Sequence, residues 1–140
     1  MTVEEAVYHL LTTDAGVSSL LASRIYPGQA PQSDTLPVLV YTQSSREATR
    51  NVAGEVRSLT RHGLRLDSWG RSYSEIRQVY DSVLDCLLPF AGLVTVSGRS
   101  LRIQHIGEEG GEDGAEPPIH AEESGLWHCG IDLSIWYGDD

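Results

Sequence analysis

The chain has 140 residues, 40% of them hydrophobic, with three Trp and six Tyr, enough for a single domain that buries a core without metal or disulfide help. Its formal net charge is -10 and all its basic residues are Arg, a balance that argues against nonspecific binding to a phosphate backbone, which needs clustered cationic charge. No stretch approaches the ~18 apolar residues of a membrane span, and Met1 to Glu5 has no secretory pattern, so the expectation is a soluble protein, intracellular when made.

In chain order, Thr2 and Glu5 have the spacing of a capping box, and Val3, Ala6, Val7, Leu10 and Leu11 mark a short amphipathic helix. Asp14 can cap a further turn or two through Val17, Leu20 and Leu21 before Pro27-Gly28 ends the segment. Gly28 to Pro37 reads as loop, and Val38 to Gln43 as a β-rich strand near the sheet centre. Ser44 to Arg57 is polar and reads as a long loop bearing Arg46, Arg50 and Arg57. A second strand has its clear core at Leu64 to Trp69 and extends back to about Ser58. In it Leu64, Leu66 and Ser68 point one way and Arg65, Asp67 and Trp69 the other, the period of a strand with two unlike faces.

Gly70 and Arg71 break that pattern, and Ser72 with Glu75 forms a second capping box. Ile76, Val79, Tyr80, Val83, Leu84, Leu87 and Leu88 then make one apolar stripe about four turns long, stopped by Pro89. Leu93 to Val96 and Leu101 to Ile106 bracket a hairpin turn at Ser97 to Ser100. Residues 107–125 hold Glu108, Glu109, Glu112, Asp113, Glu116, Glu122 and Glu123 among Gly and Pro, the composition of a flexible acidic loop. Trp127 to Tyr137 is a last strand, with Cys129, Ile131, Leu133, Ile135 and Tyr137 on one face and His128, Gly130, Asp132, Ser134 and Trp136 on the other. The whole reads as an α+β two-layer sandwich: a mainly antiparallel four-stranded sheet (Val38 to Gln43, Ser58 to Trp69, Leu101 to Ile106, Trp127 to Tyr137) with the central helix on one face and short N-terminal helices.

Motifs for catalysis are missing. There is no phosphate loop, nucleophile elbow, paired-His metal motif or EF-hand, so no catalytic, metal or cofactor-binding residues are expected. Cys86 and Cys129 lack metal-ligand spacing and read as structural thiols. The five His residues are scattered and read as surface or half-buried. The acidic loop has the right ligand atoms for Ca²⁺ but not the regular alternation, and reads as solvated.

Two features ask for more than folding. Trp69 and Trp136 fall on the strand face opposite the Leu set, which one helix cannot cover; either the face meets a partner or the N-terminal helices cover it. The Arg46, Arg50 and Arg57 stretch is either a solvated loop or a basic element that reaches the acidic surface of a neighbouring copy.

Arg24-Ile25-Tyr26-Pro27-Gly28, with Ala30-Pro31-Gln32 and Leu36-Pro37-Val38-Leu39-Val40-Tyr41, resembles the opening of the tail-completion family of long-tailed bacteriophages. Leu66-Asp67-Ser68-Trp69, then Tyr73, Glu75 and Ile76, a helix ending near Leu87, and Asp132-Leu133-Ser134-Ile135-Trp136-Tyr137 follow in order. The resemblance spans nearly the whole chain, the acidic 108–123 segment departing from it. It implies a structural virion protein, not an enzyme, that forms a ring of commonly six subunits on the head-proximal end of the tail tube. It implies, as partners, further copies of itself, the tail tube protein and a head-side connector protein. DNA would pass through the lumen without specific binding, and net negative charge would help by repelling phosphate. Another head-tail connector, a minor tail component, or an adaptor domain outside phages is the alternative.

Overall fold

The computed structural model describes residues 2–30, 35–50, 56–108, 115–121 and 125–138, and for 45–50, 56–59 and 115–121 the backbone alone. Three helices and seven strands follow in the order α1 (Val3–Thr13), α2 (Ala15–Leu21), β1 (Ile25–Pro27), β2 (Val38–Arg50), β3 (Val56–Gly70), α3 (Tyr73–Leu87), β4 (Gly92–Val96), β5 (Arg99–Glu108), β6 (Ala115–Ala121) and β7 (Leu126–Gly138). The strands form one sheet in the order β1-β2-β3-β7-β5-β4, with β6 also paired to β7. All pairings are antiparallel except β1 with β2.

The helix starts form where the side chains demand them. The Glu5 amide donates to Thr2 Oγ1 at 3.1 Å and the Thr2 amide to Glu5 Oε2 at 3.4 Å, a closed capping box. Asp14 Oδ2 accepts from the Val17 amide at 2.9 Å at the start of α2. At α3 the Glu75 amide donates to Ser72 Oγ at 3.1 Å, but the Glu75 carboxylate reaches the amide of Arg71, not of Ser72. The second capping box is therefore opened by one residue, and Glu75 ties the helix to the turn that leaves β3. Gly70 is needed at that turn: a Cβ there would meet Glu75 Oε1 at 2.7 Å and Ile76 Cδ1 at 2.8 Å.

The sheet is wider than the four strands expected. β1 is too short to show a period in sequence, and it adds to the edge of β2 through three residues. The 44–57 segment is not a long loop, because β2 runs on to Arg50 and β3 starts at Val56, paired through Arg50↔Val56. Nor is 107–125 loop throughout. β5 reaches Glu108 opposite Leu133, and β6 resumes on the same edge of β7 with Ala115 opposite Ile131. β5 and β6 thus take successive halves of one strand edge. Glu109, Glu112 and Asp113 lie outside the described residues.

The core lies on one face. Val3, Val7 and Leu11 of α1, Val17 and Leu21 of α2, and Val79, Val83 and Leu87 of α3 pack into one cluster with Leu64 and Leu66 of β3 and Ile131, Leu133 and Ile135 of β7. All three helices therefore share a face, which corrects the alternative that the N-terminal pair covers the far side. His62 is buried on the core face, its Nε2 3.8 Å from the Glu4 carboxylate, where a surface or half-buried position was expected. α1 also packs near both ends of the sheet, and a groove of about 440 Å³ between them is lined by Tyr8, His9, Ile25, Tyr41, Val96 and Arg99.

Cys86 marks the seam between helices, its Sγ 3.5 Å from the Leu10 carbonyl oxygen. Burial, and secondarily the Asp14 carboxylate, pushes its thiol up from 9.0 to about 11. Because the folded chain holds this proton more tightly, the contribution is fully present below about pH 9 and is lost as pH rises through about 11. Iodoacetamide at pH 8 is expected to label Cys86 far more slowly in the folded protein than in urea, and Cys86→Ala to flatten the fall in stability between those two pH values; equal labelling rates would contradict the buried seam.

Candidate assembly surface on the helix-free face of the sheet

Strand alternation sends the residues between the core positions to the other face. On β3 these are Arg61, Gly63, Arg65, Asp67 and Trp69, and on β7 His128, Gly130, Asp132, Ser134 and Trp136. Register sets them side by side: Trp69 opposite His128, Asp67 opposite Gly130, Arg65 opposite Asp132, Gly63 opposite Ser134, Arg61 opposite Trp136. From β2, Val38 and Val40 join the same face opposite Trp69 and Asp67 and are buried.

A continuous polar row follows from that register. The Trp69 ring lies 4.9 Å from the His128 ring, and His128 Nε2 is 2.8 Å from Asp67 Oδ1. Arg65 Nε donates to the same oxygen at 3.1 Å and Arg65 Nη1 to Asp132 Oδ2 at 3.0 Å. One strand position further, Arg61 Nε donates to Ser134 Oγ at 3.1 Å. Gly130 makes room for this, because a Cβ there would overlap the Arg65 guanidinium. The Arg65 and Asp67 side chains are each 22% exposed, so the pair keeps more of its Coulomb energy than a fully solvated one.

The chemistry available here is recognition. Arg61 and Arg65 stand against Asp67 and Asp132, so the row is balanced in charge although the protein carries -10 overall. Both carboxylates are bound by Arg65, and among the described residues no group of three His, Cys, Asp or Glu is placed to hold a metal ion. A charge-balanced, Trp-ended surface suits contact with protein.

The expected site residues are distributed more widely than the sequence reading implied. Trp69 and Trp136 are both half-buried on this face but at opposite ends, roughly 26 Å apart along the strand at ~3.3 Å per residue. Arg46 and Arg50 fall in β2 and Arg57 in β3, and Glu116 in β6 opposite Gly130; their side chains lie outside the described residues. Glu108 ends β5, half-buried. The sequence reading missed Arg61, Arg65, Asp67, His128, Asp132 and Ser134 as one unit, since their only signal was their shared parity opposite the Leu positions.

The fold and this surface define a structural α+β domain that presents one open sheet face. The model of the Tail completion protein gp17 family matches residues 5–137, and the chain belongs to that family. Among solved structures, a chain of the virion of a native gene transfer agent particle is similar in fold, with a TM-score of 0.61 at 12% identity over 98% of this chain and 95% of that one. No curated protein matches the sequence. The protein is accordingly a structural tail protein of the tail-completion family.

Gly130→Ala is expected to expel the Arg65 guanidinium and cost roughly 1–2 kcal/mol in urea unfolding, the loss of two charge-assisted bonds discounted for partial exposure. In an Arg65→Ala background the same change should cost much less. Equal costs in the two backgrounds would show that Gly130 matters for the backbone and not for the row.

Proposed function

We propose that this protein forms a closed ring that caps the head-proximal end of a phage tail tube, stops its growth and offers the surface to which the head side joins. The observation that carries the reading is the helix-free face: a seven-stranded sheet with all three helices on one side, in a chain that belongs to the tail-completion family. An antiparallel sheet can leave its polar face to solvent, and here that face also carries the half-buried Trp69 and Trp136, residues suited to a partner surface. Its partners in this reading are further copies of itself, the tail tube protein and a head-side connector protein, with DNA passing through the lumen unbound. Net charge of -10 supports the last point, since like charge lowers the local concentration of phosphate. The ring stands at the head-tail junction of the virion, is made in the host cytoplasm, and performs no catalysis.

Heterologous contacts between unlike surfaces close into rings where the rotation allows. Arg46, Arg50 and Arg57 of the β2–β3 hairpin and the acidic Glu108 of β5 and Glu116 of β6 supply one unlike pair. Light scattering behind size exclusion, with negative-stain imaging, is expected to show closed rings either for the protein alone or on added tube ends. Protein that stays monomeric and leaves purified tube ends uncapped would remove the ring reading.

A further inference from the structure

We infer that neighbouring copies of this chain join by main-chain hydrogen bonding between the outer edge of β2 in one copy and β4 of the next, so that the sheet runs on across the boundary. The inference rests on the ring reading above and specifies its contact.

β1 covers only Leu39 to Tyr41 of the β2 edge, and among the described residues no strand pairs with that edge from Thr42 to Arg50. Backbone geometry says which groups it offers. The Leu39 amide donates outward to the Arg24 carbonyl and the Tyr41 carbonyl accepts from the Gly28 amide, both at 3.0 Å. Alternation makes Gln43 the next outward residue. The register shift between Gln43 and Ser45 inserts one residue, so Arg46 and Ala48 take the outward positions beyond it.

β4 stands at the other end of the sheet and, among the described residues, pairs with β5 alone. The two-residue turn at Ser97 (φ 53) and Gly98 (φ 80) closes the hairpin with Val96 opposite Arg99, which turns the backbone groups of Leu93 and Thr95 outward. Edge strands are normally defended by charge, proline or cover. β4 has neither charge nor proline, and Leu93 is 52% exposed. β6 shows the contrast: Pro117 and Pro118 lie at its register shift between Glu116 and Ile119, and neither has an amide to donate to a ladder.

The occupant is a second copy, because each open edge finds an open edge of a different kind on the same chain. Pairing of unlike edges is a heterologous contact, the kind a ring requires. Main-chain bonding also joins subunits of like net charge without drawing on opposite side-chain charges.

Gln43→Pro and Thr95→Pro each remove one outward amide while leaving the ladders to β3 and β5 in place. Each is expected to keep the circular dichroism of the unaltered protein and to shift its scattering mass from ring to monomer, with Gln43→Ala and Thr95→Ala still forming rings. As a measure independent of proline, Thr42→Cys and Leu93→Cys in one chain, both on the helix-free face, treated with a short bismaleimide, should give a ladder of oligomers ending at the ring. Rings that persist in both proline variants, with no ladder, would overturn the edge pairing and leave the ring intact. An unaltered protein that forms no ring alone or on tube ends would overturn both.

Discussion

The pairing of β3 with β7 is the constraint on which the rest of the structure depends. It runs from Leu59 opposite Gly138 to Gly70 opposite Trp127 without a register shift. A slip of one residue would turn Leu64, Leu66, Leu133 and Ile135 to solvent together, at a loss of about 1.5–3 kcal/mol per large apolar side chain. The hydrophobic face therefore fixes the register, and the register in turn fixes the opposite face. Arg65 meets Asp132 and His128 meets Asp67 because the leucines between them are buried, so the polar row is a consequence of the core.

Placing every helix on one side has a second consequence. α2 and α3 pack together, α1 lies against both, and α1 also approaches β4, so the N-terminal pair is needed to complete the core and none of it is left for the other face. That face is held by cross-strand polar contacts and the buried Val38 and Val40. These contacts order the face without a second layer.

Much of this was legible where a local signal exists. The stripe from Ile76 to Leu87, the Ser72 cap and the two-faced strands around Leu66 and Leu133 each report a period that the residues themselves carry. β1 has three residues and no period, and it forms because Arg24 and Gly28 bond to β2. Ser44 to Arg50 is polar at every position but Ala48 and looks like loop, yet it is strand because β3 pairs with it. β6 carries two prolines and few apolar residues, and exists only as a partner for β7. The row from Trp69 to Asp132 was illegible for the same reason: Arg65 and Asp132 are 67 residues apart in sequence, and only the register brings them together.

Charge sets the terms on which such a domain can assemble. Arg61 and Arg65 balance Asp67 and Asp132 in the helix-free row, and much of the excess of Asp and Glu falls in sequence among Glu108, Glu109, Glu112, Asp113, Glu116, Glu122 and Glu123. Copies brought together by any route repel through that excess, but at physiological ionic strength the repulsion is screened beyond about 8 Å. Contacts that work within hydrogen-bond distance are unaffected by the screening, whereas a long-range attraction between an Arg-bearing hairpin and an acidic segment is weakened by it. In the ring proposed for this chain, short contacts that are neutral in sum, such as strand edges or a balanced polar face, would therefore hold best.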